Sequence, residues 1–308
     1  MRFEVATLSK TGIELECCLH DKLVATGCAK PRPAVIVLAG GAYLRRAHRE
    51  GDPVAARFLG LGYDAFVLRY STYFENVDCA GDGAPLLSGA QGYPHQVSEL
   101  MEAIAYVRSH ADELLVDASR VFVVAFSAGA HVALSLAERF DDATLLRDAG
   151  LSEGEARSVL PAGIVACYPM LRALELRGDE QRLREQALSN VALFGTECPT
   201  PQQRASVDLL RGVRPGMPPT FMWQTSTDAT CSPSDTLEFA RLLLGAGVSC
   251  ELHLYREGVH GMALADESSS AAGEKVDPHV ATWVPLADQW MRAVGDASAG
   301  VVSDASLR

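Results

Sequence analysis

The chain has 308 residues, 48% of them apolar, and a formal charge of −12. That is enough apolar material for one large α/β domain or two small ones with a substantial core, so disorder is not the default state. The acidic balance argues against a nucleic-acid partner, because phosphate binders need a basic face to displace counterions, and acidity by itself singles out no substrate.

From the amino terminus, Met1-Arg2-Phe3-Glu4 places an acid where a secretion signal would carry its apolar segment, which predicts a cytoplasmic protein. Residues Phe3 to Leu8 and Ile13 to His20 read as a hairpin around Ser9-Lys10-Thr11-Gly12. After Pro31-Arg32-Pro33, the run Ala34 to Leu38 is continuously apolar, the mark of a strand buried on both faces. The longest apolar stretch, Pro33 to Leu44, is broken by two glycines and falls far short of the ~20 residues a membrane span needs, so no membrane partner is expected.

Asp52 to Leu61 reads as a helix closed by glycines, and Ala65 to Leu68 as the next buried strand. A Gly/Asp/Ala/Pro-rich loop between Phe74 and Gly92 either borders a site or is a surface insertion. Val97, Leu100, Met101, Ile104 and Val107 recur at helical spacing, predicting an amphipathic helix over Tyr93 to His110. Val121 to Ala125 is a strand that stops at Phe126-Ser127-Ala128-Gly129 and continues as an Ala/Leu helix, leaving Ser127 at the sharpest point of the bend.

Asp141 to Leu160 is polar and partly helical, and Gly163 to Cys167 is another buried strand. Residues 168–219 carry many charges and prolines but no strand pattern, and are expected to form a small helical cap that either closes over substrate or pairs two copies of the chain. Thr220 to Gln224 returns to the sheet. Ser232 is a helix N-cap with Pro233 in the first turn, and Gly245 and Gly247 close that helix. Cys250 to Tyr255 is the last strand and Trp283 to Val294 the last helix, with 295–308 expected as a loose tail. Alternating strand and helix select an α/β fold, a mostly parallel sheet covered on both faces, with an antiparallel start. No repeat or composition break divides the chain, so 1–308 is expected to be one domain with a modest insertion.

Cys17, Cys18, Cys28, Cys79, Cys167, Cys198, Cys231 and Cys250 form no C-x-x-C pair and no zinc-like spacing with histidine; free thiols are expected.

A serine hydroxyl is a poor nucleophile until a base takes its proton, so Ser127 needs a histidine that is itself held by a carboxylate. Asp228 sits just past the strand Thr220 to Gln224, and His260 just past Cys250 to Tyr255. Among the alternatives, Asp235 is explained by the helix N-terminus it occupies, His253 alternates within its strand, and His131, four residues along the helix from Ser127, supports the bend rather than acting as base. Acyl transfer also needs preorganised N–H donors for a tetrahedral oxyanion. Ala128, at the start of the helix, offers one, and Gly40 and Gly41, directly after the strand Ala34 to Leu38, offer others.

With these residues in place, the chain resembles the α/β-hydrolase superfamily, and more narrowly its acetylesterase and xylan-esterase-like branch, related to lipases and carboxylesterases. The similar stretches include VIVLAGGAYLRRAHREGDPVAARFLGLGYDAFVLRYS and DASRVFVVAFSAGAHVALSLA, and extend through the segments holding Asp228 and His260. Ala125, Ala39, Ala42 and Ala130 stand where that pattern usually has Gly, His or Pro, Gly and Gly respectively. The resemblance implies a serine esterase that removes small acyl groups, acetyl above all, from alcohols or sugars, with Tyr43, Tyr70 and Met262 lining the pocket and no metal or organic cofactor. An amide-bond hydrolase of the same fold, such as an arylformamidase or small peptidase, shares the same residues, and a binding protein that lost catalysis is a further alternative.

Overall fold

A computed structural model describes residues 1–21, 30–74, 92–175, 178–270 and 273–305, without the side chains of 274 and 297–305. Most of the loop expected between Phe74 and Gly92, together with Cys28 and Cys79, lies outside the described residues. Among those described, Cys17, Cys18, Cys167, Cys198, Cys231 and Cys250 are free thiols.

The chain begins with β1 (Arg2–Thr7) and β2 (Glu14–Leu19), which pair antiparallel as the hairpin pattern predicts. β3 (Arg32–Leu38), α1 (Asp52–Gly60), β4 (Asp64–Leu68), α2 (His95–Ser109), a short α3 (Ala111–Leu114), β5 (Val116–Phe126) and α4 (Ala128–Arg139) follow. Then come α5 (Ala143–Asp148), β6 (Ile164–Cys167), α6 (Glu180–Phe194), α7 (Pro201–Ser206), β7 (Thr220–Thr225), α8 (Pro233–Gly245), β8 (Cys250–Tyr255) and α9 (Trp283–Ala305). The eight strands form one sheet in the order β1-β2-β4-β3-β5-β6-β7-β8, antiparallel for the first two pairings and parallel from β4 onward.

Side-chain alternation along each strand builds a core on both faces of this sheet. In β3, Ala34, Ile36 and Leu38 join the cluster that holds Val97 and Leu100 of α2, Val132 and Leu136 of α4 and Phe239 of α8. Val35 and Val37 point the other way, into the cluster holding Phe58 of α1 and Trp283 and Met291 of α9. That two-sided burial is why these strands read as unbroken apolar runs rather than alternating ones.

Two expectations are corrected. β5 starts five residues before Val121, because Val116 pairs with Arg32 across an irregularity in the β3/β5 register. The backbone stays helical beyond Gly295 to Ala305, where a loose tail was expected; no proline interrupts this stretch of small residues, and helix already formed propagates at little cost.

Among the described residues between β6 and β7 there is no strand; α6, α7 and a short 3-10 turn at Leu209–Arg211 make up the helical excursion. Asp179 caps α6, and Thr200 and Gln203 form a reciprocal capping box at α7. Among the described residues no helix is long and apolar enough to cross a membrane.

Candidate active site

Parallel strands bring their carboxyl ends to one edge of the sheet, and the residues singled out above follow those ends. Ser127 comes directly after β5 at φ 48° and ψ −115°, a region that side chains other than glycine rarely occupy. The bend is held on both sides: Ser127 N–H donates to the Cys167 carbonyl at 3.0 Å, and its carbonyl accepts Met170 N–H and His131 N–H. Gly129 is required here, since a Cβ at that position would lie 2.4 Å from the Leu38 carbonyl oxygen and 2.7 Å from that of Ala39. The departure at Ala125 is absorbed in the core, where its methyl is fully buried.

Asp228, three residues beyond β7, and His260, five beyond β8, meet Ser127 across the edge of the sheet. His260 Nε2 is 2.9 Å from Ser127 Oγ and its Nδ1 is 2.7 Å from Asp228 Oδ2. The other carboxylate oxygen, Oδ1, accepts Thr230 N–H at 2.7 Å and Cys231 N–H at 3.0 Å. With its rotation fixed this way, the Asp228 carboxylate orients the imidazole so that Nδ1–H donates to it and Nε2 faces the serine hydroxyl. Asp235 faces Arg172 at 3.7 Å and caps no part of this relay. His253 binds Glu251 at 2.8 Å on its own strand.

The backbone around His260 relies on glycine. Gly258 has φ +152° and a Cβ there would meet Thr225 Cγ2 and Met262 Sδ at 2.7 Å. The Gly258 carbonyl accepts both the Thr225 and Thr227 hydroxyls, and Lys275 Nζ donates to the carbonyls of His260 and Gly261.

The glycine loop after β3 lies against Ser127: a Cβ on Gly40 would be 2.7 Å from Ser127 Cβ. Gly40 itself is not available as an anion donor, a correction to the sequence reading, because its N–H donates to Glu50 Oε2 at 2.7 Å. The next two amides differ. The Gly40 carbonyl accepts Ala47 N–H and the Gly41 carbonyl accepts Leu44 N–H; in planar trans peptides the N–H groups of Gly41 and Ala42 therefore point away from that turn. Among the described residues, the N–H groups of Gly41, Ala42 and Ala128 donate to no protein acceptor, and Gly41, Ala42 and Ser127 all border one open cavity of about 1140 Å³.

The expected pocket residues are also corrected. Tyr43, Tyr70 and Met262 are each at most 1% exposed and line no wall of this cavity. Tyr43 has φ +64°, which turns its ring inward, where the hydroxyl donates to His131 Nδ1 at 2.7 Å. Tyr70 donates to the Ala39 carbonyl at 2.6 Å. His131 in turn donates from Nε2 to the Val207 carbonyl at 2.9 Å, and burial depresses its pKa to about 4, so it is a neutral brace under the bend. The cavity wall instead carries the polar side chains of Arg45, Arg49, Glu185, Ser268 and Lys275, together with Leu174 and Thr230. Arg45 and Glu185 approach to 3.5 Å, linking the glycine loop to α6. Sequence pattern missed this wall, and it missed Glu50, because charged residues in a polar loop read as solvated surface.

A serine on a strand-to-helix bend, bonded to a histidine that is bonded to an aspartate, each from the carboxyl end of its own strand, is the arrangement on which known hydrolases of this architecture are built. The family model for the α/β-hydrolase fold matches residues 87–264, more than half of the chain. The chain belongs to the α/β-hydrolase fold family. The protein is similar to the carboxylesterase Cest-2923 from Lactobacillus plantarum WCFS1, with a TM-score of 0.73 and 24% identity over 96% of this chain and 98% of that one. It is also similar to an acetyl ester-xyloside bifunctional hydrolase from Caldicellulosiruptor lactoaceticus, with a TM-score of 0.68 and 27% identity over 92% and 89% of the two chains. In sequence it is 26% identical over 236 residues to endo-1,4-beta-xylanase B of Butyrivibrio fibrisolvens, matching 77% of this chain but spanning only 33% of that protein.

Proposed function

We propose that this protein is a serine esterase that removes short acyl groups, acetyl above all, from alcohols or sugars through an acyl-enzyme. One observation carries the reading: the unbroken relay from Ser127 Oγ to His260 Nε2 at 2.9 Å and from His260 Nδ1 to Asp228 at 2.7 Å, open to the cavity. In the mechanism it supports, Ser127 Oγ attacks the ester carbonyl as its proton passes to His260. The oxyanion is stabilised by the N–H groups of Ala128, Gly41 and Ala42, the first of them reinforced by the positive end of the α4 dipole. The imidazolium is stabilised by Asp228 and returns its proton to the departing alcohol oxygen. Water, activated by the same histidine, then releases the acid from Ser127.

The substrate side rests on the cavity wall and on the relatives. Arginine, lysine, glutamate and serine side chains around the opening suit hydrogen bonding to a polyol. Cys231 Sγ packs 4.0 Å from Ser127 Oγ, and this contact favours a small acyl group beside the serine over a bulky one. The names of the Caldicellulosiruptor and Butyrivibrio relatives also point to acetyl esters and xylan. Residues Leu174 and Glu185 border the cavity from the stretch 168–219, which we read as a cap over bound substrate.

The test is hydrolysis of p-nitrophenyl acetate by wild type and Ser127→Ala, alongside acetylated xylo-oligosaccharides, a formamide and a peptide. Loss of turnover by a factor on the order of 10⁶ in the variant, with an unchanged circular-dichroism spectrum, is expected. Undiminished ester cleavage by Ser127→Ala rejects the assignment, and faster turnover of the formamide or peptide moves it to amide hydrolysis.

A further inference from the structure

Glu50 sits in the short turn His48–Glu50 just before α1 and is 3% exposed, although the sequence around it, RRAHREGDP, is polar and charged. A buried carboxylate must be satisfied by donors. Glu50 takes two, one from the glycine loop after β3 and one from the residue that follows β6. Oε2 accepts the N–H of Gly40, in the loop that supplies anion donors. Oε1 accepts the hydroxyl of Tyr168 at 2.7 Å. Tyr168 follows β6 directly, its oxygen accepts the N–H of Ala263 at 2.9 Å, and its ring meets the His260 imidazole edge-on with centroids 5.0 Å apart. The carboxylate also lies beneath the histidine loop: a Cβ on Gly261 would be 3.7 Å from Glu50 Oε1.

We infer that Glu50 is a positioning residue that holds the anion-binding loop and the His260 loop in register with each other across Ser127. The inference rests on the esterase reading above. Its physical basis is the direction of the hydrogen bonds. Fixing Gly40 N–H toward Glu50, with the Gly40 carbonyl held by Ala47, sets the plane of the Gly40–Gly41 peptide and hence the direction of the Gly41 N–H. The second oxygen, through Tyr168, sets the height of the imidazole relative to that amide. An anionic acceptor with two oxygens can serve both donors at once; an amide has one acceptor oxygen and must reverse or lose one bond. Displacements of about 1 Å in a reacting constellation cost on the order of 100-fold in rate.

The experiment compares wild type, Glu50→Gln, Tyr168→Phe and the double variant, with functional sites counted by stoichiometric reaction with a serine-directed phosphonate. For p-nitrophenyl acetate, Glu50→Gln is expected to lower kcat per titrated site by about 100-fold with KM nearly unchanged, since the lost alignment matters in the transition state and not in ground-state binding. Tyr168→Phe is expected to lower kcat in the same way, and the double variant to be no worse than Glu50→Gln alone, because the two groups act through one bond network. Wild-type kcat per titrated site in Glu50→Gln, with only a lowered melting temperature, overturns the inference and leaves Glu50 as a structural tie. Fully additive losses overturn it as well. Should Glu50→Gln not fold, Tyr168→Phe alone decides, because wild-type kcat there breaks the proposed link to His260. Failure of the underlying esterase reading shows differently, as undiminished turnover in Ser127→Ala.

Discussion

Asp228 grips His260 through one oxygen while its other oxygen is held by the backbone of Thr230 and Cys231. The carboxylate is therefore oriented before the imidazole arrives. In Asp228→Asn the amide offers one acceptor oxygen, and the two backbone N–H groups compete for it with His260. An NH2 turned toward Nδ1 stabilises the wrong tautomer, so we expect kcat for p-nitrophenyl acetate to fall on the order of 10⁴-fold. Asp235→Asn, at the α8 N-terminus beside Arg172, should leave kcat at the wild-type level. The reverse ranking of the two variants would show that the acid has been misassigned.

Gly129 packs against the carbonyls of Leu38 and Ala39. Gly129→Ala pushes α4 away from β3 or shifts the bend, and overpacking of this kind costs about 1–3 kcal/mol or more. A lowered midpoint in urea unfolding together with lost esterase activity is the expected pair of results. Unchanged values for both would mean that the close approach relaxes without consequence.

His131 is neutral in the fold. Burial depresses its pKa to about 4, and Tyr43 donates to Nδ1 while Nε2 donates to Val207. Protonation at Nδ1 would set two donors against each other. Because the folded value lies below the unfolded value of 6.5, the unfolded chain binds the proton first. Stability from this site is complete above about pH 6.5 and falls as pH drops toward 4, by about 3 kcal/mol in all. Urea unfolding from pH 7.5 to 4.5 should show this slope in wild type, and the slope should be smaller in His131→Gln. Equal slopes would rule out His131 as its source.

Glu138 near the end of α4 has the opposite sign. Burial, followed by the nearby Asp208 charge, raises its pKa to about 8. The folded protein keeps this proton when the unfolded chain has lost it, so its contribution to stability is present below the unfolded value and declines as pH rises toward 8. Glu138→Gln should therefore melt higher than wild type at pH 8.5 and at a similar temperature at pH 4.5. A melting difference that does not change with pH would contradict this.

The fold was legible because its strands are buried on both faces and its turns carry the expected Gly, Pro and Ser residues. The serine bend, Asp228 and His260 were legible for a related reason, as each lies at the end of an apolar run whose direction is known once the sheet is parallel. The errors share another cause. Tyr43 and Tyr70 follow strands β3 and β4 at the functional edge, yet a positive φ at Tyr43 and the Ala39 carbonyl opposite Tyr70 turn both inward. Nothing in an unaligned sequence marks those backbone angles. Gly40 carries the right residue type in the right loop, but its N–H is taken by Glu50, ten residues away in a segment that looks solvated. Partnerships between loops of different strands are set by tertiary packing, which local pattern does not encode.

The sheet order has a consequence for how the protein would fail under stress. Ser127 follows β5, an interior strand flanked by β3 and β6, while His260 follows β8, an edge strand that among the described residues is hydrogen-bonded on one side only. Opening of an edge strand requires fewer bonds to break than opening of the interior. Mild denaturant or heat should therefore detach the base from the nucleophile while the body of the sheet stays closed, so that inactivation comes before unfolding and is reversed as soon as β8 pairs again.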